Sequence, residues 1–286
     1  MRCTPAERDL KKRFVDVYDR ALTPAMQAIE RRVCGCDYGG NSWLSRRQAD
    51  HFGSCLGLKA GMTLLDLGAG SGWPALYLAK RFGCDVMLVD LPENGLRFAR
   101  DRAMTDGIAG RVRIVLADAA ELPFAPASFD AISHCDLLCC LVRKRAVLEK
   151  SRSVIRPDGR MAFTVISIAP GLSSADRHAA LETSPTFVEC ETDYTTLLQE
   201  TGWAVSERTD ITPAYEAACR RQIEADEASE AQLVELLGRE DFIARLANWR
   251  NKLTAIRRGL VIRERYVAHP DGPRQHSCQG GTTAIA

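Results

Sequence analysis

The chain has no run of about 18 uncharged apolar residues, and charge begins at Arg2 with no apolar core behind it. Neither a membrane-spanning helix nor a secretory leader is therefore expected, and the default reading is a cytoplasmic protein with no membrane partner. Excess charge of one sign is missing too. The 38 Lys and Arg against 37 Asp and Glu leave a net charge of +1, too little for a field that would gather nucleic acid. Basic stretches at 8–13 and 245–263 alternate with acids and apolar residues and read as solvated helix faces. Eleven cysteines are present, but no Cys-x-x-Cys pair is. Cys34-x-Cys36 and Cys139-Cys140 have no matching half at zinc-ligand spacing, so no metal is expected, and the thiols read as buried groups of a reducing compartment.

What is there is an ordinary globular composition, 46% hydrophobic and 26% charged, with one informative run at 64–72. Leu64-Leu65-Asp66-Leu67 is an apolar strand that meets Gly68-Ala69-Gly70-Ser71-Gly72 where a helix can begin. In an open parallel sheet, the carboxyl end of such a strand is where ligands sit. A dinucleotide fingerprint starting at Gly68 would need glycine at 73, where the chain has Trp73. That bulk opposes the close approach the third glycine permits, so a nicotinamide-dependent oxidoreductase is the weaker alternative. Asp66 also suits a ligand carrying an amino group better than one carrying phosphates.

Residues 66–72 match at every position the acid-x-Gly-x-Gly-x-Gly first motif of the class I S-adenosylmethionine-dependent methyltransferases, and the chain resembles that family in its small-molecule branch (methyltransferase type 11, glycine-sarcosine-like). The resemblance is tight over about residues 55–168. It implies S-adenosyl-L-methionine as cofactor, held by Asp66, Gly68, Ala69, Gly70 and Gly72. It further implies Asp90 and Leu91 at the ribose, Asp118 and Ala119 against the adenine, and Ser133 and His134 at the end of the fourth strand. Tyr38, in a tyrosine-glycine segment before the core, would fold over the methionine end; an aromatic anchor for a loop is the equal alternative.

The fold class expected is α/β: a Rossmann-like, seven-stranded, mostly parallel sheet with a helical N-terminal extension and a helical cap between strands six and seven. Strands at 63–67, 85–89, 112–116, 129–134 and 160–168 alternate with helices at 73–82, 93–106 and 142–155, which is the pattern of parallel crossovers. Residues 1–53 form the extension, opened by the capping box Thr4-Pro5-Ala6-Glu7 and a second start at Thr23-Pro24. The extension either covers the cofactor or pads the sheet. The core spans 54–212, a long helical cap 213–258, the last strand 259–268 and a polar, disordered tail 269–286. The cap reads as an acceptor lid, with a homo-oligomer interface as its alternative.

Methyl transfer needs alignment first, and a base only when the nucleophile arrives protonated. His134 is the candidate base or acceptor-orienting group, and Asp136 either orients it or binds a cationic acceptor. Cys139 and Cys140 lie in the same stretch, with packing as their main role. Trp43, Tyr215 and Tyr38 are the expected acceptor contacts. Related enzymes that methylate nucleic-acid amino groups carry an Asn/Asp-Pro-Pro-aromatic signature after strand four, where this chain has His134-Cys135-Asp136-Leu137. The acceptor expected is therefore a small molecule, methylated on nitrogen, oxygen or carbon, and not a nucleic acid. A non-catalytic S-adenosylmethionine-binding module is the competing class; retention of Asp66 and Asp90 argues against it.

Overall fold

The computed structural model describes residues 4–39 and 43–272. Its seven strands are β1 (Thr63–Leu67), β2 (Asp85–Asp90), β3 (Val112–Leu116), β4 (Phe129–Cys135), β5 (Ile155–Ile168), β6 (Trp203–Asp210) and β7 (Val261–Pro270). They form one sheet in the order β3-β2-β1-β4-β5-β7-β6. β7 runs antiparallel between β5 and β6, and β1 to β5 pair in parallel. The central strand reads as a nearly continuous apolar run because helices cover both faces of the sheet. Leu64, Leu65 and Leu67 are all fully buried. This is the expected doubly wound architecture, and the reversal of strand order beside β1 puts a crevice at its carboxyl end.

Three helices precede the sheet: α1 (Pro5–Ala21), α2 (Pro24–Cys34) and α3 (Arg46–Cys55). The Thr4 hydroxyl accepts from Glu7 N at 3.2 Å while the Glu7 carboxylate accepts from Thr4 N at 2.8 Å, the reciprocal cap that the sequence announces. No expectation covered α3. It too has a capping box, between Ser45 and Gln48, but its inner face is only Ala49, Phe52 and Gly53. A Cβ on Gly53 would stand 2.3 Å from the Phe82 ring, so close approach replaces the apolar bulk that makes a helix visible in sequence.

The crossovers are α4 (Ala75–Phe82), α5 (Glu93–Thr105), α6 (Lys144–Val154), α7 (Ser174–Thr183) and α8 (Tyr194–Glu200). The cap between β6 and β7 is three helices where one long helical stretch was expected: α9 (Thr212–Ala228), α10 (Glu230–Leu237) and α11 (Arg239–Arg257). The breaks fall at Ser229 and at Gly238, whose φ is +87°. Asp226, wholly buried in α9, receives Arg245 Nε at 2.6 Å and Nη2 at 3.1 Å from α11, which ties the cap's long helices together. β7 runs past the expected boundary at 268, with His269 and Pro270 opposite Ala204 and Trp203. The rest of the expected tail, from 273 on, lies outside the described residues, as do Gly40 and Asn41 of the expected loop. Among the described residues no helix is long and apolar enough to cross a membrane.

Candidate cofactor and acceptor site

β1 ends at Leu67, and the turn behind it is stitched to the neighbouring strand. The amides of Gly68 and Ala69 both donate to Val89 O, at 2.9 and 3.1 Å. Gly68 and Gly70 have φ of +67° and +52°, a region that favours glycine. A Cβ on Gly68 would sit 2.8 Å from Leu137 Cδ1, and one on Gly70 only 2.3 Å from the Tyr18 hydroxyl oxygen. The turn therefore presents bare backbone to a cavity of about 430 Å³ lined by Asp66, Gly68, Ala69 and Gly70.

Two carboxylates face that cavity from adjacent strands. Asp90, at the end of β2, accepts from Gly70 N on one oxygen and from Leu91 N on the other, both at 2.7 Å. Each oxygen keeps a further lone pair, which matches a vicinal diol. Asp66 is 2% exposed and accepts from the Ser133 hydroxyl at 2.5 Å, because β1 and β4 pair with Asp66 opposite Ser133. Burial raises both acids: Asp66 is pushed up to about 7 and Asp90 to about 6, the latter partly countered by its two backbone donors. No side-chain cation stands within 4 Å of Asp66 among the described residues, so an ammonium group would complete its environment. An amine at Asp66, a ribose at Asp90 and backbone at Gly70 are the donor and acceptor set that S-adenosylmethionine requires.

Leu91, Asp118 and Ala119 line the same cavity. The Asp118 carboxylate is engaged already, taking Arg143 Nη2 at 2.5 Å and Ala120 N at 2.8 Å. α1 closes this end, anchored by the Asn94 side-chain amide, which donates to Val15 O at 2.8 Å and to Asp19 at 2.9 Å. Phe14, Val17 and Tyr18 of α1 form a wall of the cavity. Trp43, Cys135, Asp136, Trp249 and Lys252 line the same cavity.

Several expected site residues lie elsewhere. His134 is completely buried and does not line the cavity; it stacks on Phe163 with ring centroids 4.5 Å apart, and neither ring nitrogen has a partner. Alternation along β4 turns Cys135 toward the cavity and His134 away from it. Burial pushes the imidazole down to about 3. It is neither a base nor a cofactor ligand in this arrangement. Asp136 does line the cavity, but its partner is Arg263 rather than His134. Ser133 and Gly72 stand behind the cavity wall, the first bonded to Asp66 and the second packed on Leu76.

Tyr38 is likewise no cover for the cofactor. It packs against Trp73 at 5.3 Å, lies beneath the Arg102 guanidinium at 4.2 Å and donates to Asp106 at 3.3 Å, which makes it the loop anchor. Of the expected acceptor contacts, Trp43 lines the cavity and Tyr215 is fully buried behind it, 5.1 Å away edge to face. Tyr18, Arg143, Trp249 and Lys252 were not anticipated. Tyr18 belongs to the apolar stripe of α1 and Trp249 to that of α11, and nothing in such a stripe marks which members reach a cavity.

The Methyltransferase domain family model matches residues 65–163. The methyltransferase GfsG of Streptomyces halstedii is 32% identical over 54% of this chain and 58% of its own, so the chain spans little more than half of that relative. The 27-O-demethylrifamycin SV methyltransferase of Amycolatopsis mediterranei is 30% identical over 61% of this chain and 67% of its own. Among solved structures, Haemonchus contortus phosphoethanolamine N-methyltransferase 2 in complex with S-adenosyl-L-methionine superposes with a TM-score of 0.72 at 22% identity, covering 91% of this chain and 60% of that one. With this sheet order, this glycine turn and these relatives, the chain belongs to the class I S-adenosylmethionine-dependent methyltransferases.

Proposed function

We propose that this protein transfers the methyl group of S-adenosylmethionine to a small-molecule acceptor. The observation that carries the reading is the continuity of one cavity. About 430 Å³ runs from Gly70 and Asp90 to Trp43 and Trp249, within the range of small-ligand pockets. α1 and α11 of the cap both wall it, an enclosure suited to a compact acceptor rather than a polymer. In this reading residues 212–257 act as the acceptor lid.

When bound, the cofactor supplies a methyl carbon on a positively charged sulfur, a leaving group that needs no acid. Asp90 accepts the ribose hydroxyls, Asp66 the amino group, and the Gly70 backbone lets the nucleoside approach. Leu91 and Ala119 bracket the base. Trp43 and Trp249, edge to face at 5.3 Å, wall the acceptor beyond Cys135. Holding two reactants in line can contribute about 7 to 11 kcal/mol, and no side chain of β4 offers a free base. The chain's contribution is alignment and exclusion of water.

The test is transfer of labelled methyl from S-adenosylmethionine across a panel of small amines, phenols, carboxylates and thiols, with Asp90→Ala as control. Label transfer by the parent protein, abolished in Asp90→Ala, is expected. Calorimetry showing that the parent protein does not bind the cofactor would refute the reading.

A further inference from the structure

We propose that the acceptor end of the cavity is an anion site, centred on Lys252, that takes a carboxylate or phosphate group of the methyl acceptor. The proposal deepens the methyltransferase reading and rests on it.

The charges that line the cavity are unevenly satisfied. Glu7 is used in the cap of α1, Asp66 by Ser133, Asp90 by two amides and Asp118 by Arg143. Asp136, the acid at the acceptor end, takes Arg263 Nε at 3.0 Å and Nη2 at 2.8 Å. Asp136 is therefore already paired with a cation, and a cationic acceptor finds no free acid at this end. The cations differ. Lys252 Nζ donates to one neutral group, Thr183 O, at 2.8 Å, and no carboxylate lies within 4 Å of it among the described residues. Burial lowers its pKa from the usual lysine value, and the nearby Arg13 guanidinium lowers it further. Arg13 lines the same cavity from α1, also with no ion-pair partner among the described residues.

Neutral donors repeat the pattern. Ser184 follows the residue that holds the Lys252 ammonium, and it lines the cavity with its hydroxyl oxygen buried and unpaired. Trp249 lies one helical turn before Lys252 on α11, lines the cavity, and has its indole N–H buried and unpaired. Buried polar groups nearly always find a partner, and an enclosed ammonium without a counterion is costly. An ammonium without a counterion, beside a hydroxyl and an indole N–H without partners, forms a donor set for one oxyanion. The arrangement spans α11 and the end of α7, already joined by the Lys252–Thr183 bond and the Arg258–Asp176 ion pair, so an anion seated there would add to the contacts between lid and core.

The experiment is calorimetric titration of the full chain, saturated with S-adenosylhomocysteine, with benzoate, phenyl phosphate and the neutral benzamide. Benzoate or phenyl phosphate is expected to bind at least about tenfold more tightly than benzamide, the scale of one charge-assisted hydrogen bond. The stronger of the two identifies the anion as carboxylate or phosphate. Lys252→Met, which keeps the apolar stem, is expected to remove that preference while leaving S-adenosylhomocysteine affinity unchanged. Lys252→Arg is expected to retain the preference, and Ser184→Ala to weaken it without loss of cofactor binding. Equal binding of benzoate, phenyl phosphate and benzamide, absence of binding by both anions, or an anion preference that survives in Lys252→Met would overturn the proposal. If S-adenosylhomocysteine itself fails to bind the parent protein, it is the methyltransferase reading that falls, and the anion site with it.

Discussion

Arg263 of β7 and Asp136, the residue that follows β4, form a bidentate ion pair across β5, with Thr164 of the intervening strand bonded to both. Arg263 is completely buried, and Asp136 is held at φ +53°. The antiparallel last strand thus fixes the loop that follows β4, where Asp136 lines the cavity. Breaking such a pair leaves a buried charge without compensation. Asp136→Asn tolerates the same backbone and is expected to lower unfolding free energy by about 3 to 5 kcal/mol. The double variant Asp136→Asn, Arg263→Met should recover part of that loss in urea titrations. Additive losses in the double variant would show that the pair is not the cause.

His134 gives the opposite expectation. Its imidazole stacks on Phe163, and burial holds its pKa at about 3, against about 6.5 in the unfolded chain. As pH falls below 6.5 the unfolded chain takes up a proton that the folded one refuses. The parent protein therefore loses about 1.4 kcal/mol per pH unit on this account between pH 6.5 and 3. His134→Phe lacks that loss. The gap between the two in urea unfolding should shift by about 2 kcal/mol in favour of the variant from pH 7 to pH 5, with methyl transfer at pH 7.5 undiminished. A variant that keeps its fold and cofactor affinity but loses turnover would return His134 to the chemistry.

Cofactor affinity should rise with pH. Asp90 and Asp66 stand at about 6 and about 7 in the unliganded protein through burial, and both must be ionised to accept from hydroxyls and an ammonium. The dissociation constant for S-adenosylhomocysteine should fall by up to about tenfold per pH unit per carboxylate below these values. It should level off above pH 8. Asp90→Asn should bind more weakly and with a shallower pH slope. The same two acids favour the unliganded fold at low pH: that contribution is full below about 4, the unfolded value, and fades as pH rises through 6 and 7. A flat affinity profile from pH 5 to 8 contradicts the assignment.

Gly70→Ala meets both a positive φ and the Tyr18 hydroxyl, 2.3 Å from the added carbon. Strain of this kind costs about 1 to 3 kcal/mol. The variant should melt at lower temperature and bind S-adenosylhomocysteine more weakly. Adding Tyr18→Phe, which removes the clashing oxygen, should restore part of the melting temperature. No recovery would place the cost in the backbone alone.

Much of the nucleotide half was legible because it is local. Residues 64–72 contain a strand, a turn and the glycines that the turn demands, and Asp90 closes the next strand. The capping box at Thr4 and Glu7 was readable for the same reason. The acceptor half was not. Alternation alone would put His134 and Asp136, two residues apart, on one face, yet His134 faces the core while Asp136, just past the end of β4 at φ +53°, lines the cavity. Tyr38 sits in the expected segment but points at Trp73, since Arg102 and Asp106 of the α5 region offer its ring and hydroxyl a better environment.

The sequence by itself determined the doubly wound sheet, the glycine turn and the two acids beside it, because periodicity, turn chemistry and spacing act over a few residues. Only the tertiary structure decided that Asp136 belongs to Arg263, that His134 is core, and that Lys252, Trp249 and Ser184 meet at one end of a cavity. Those pairings join segments up to 127 residues apart. Their energies come from burial and desolvation, which no local pattern specifies before the chain has packed.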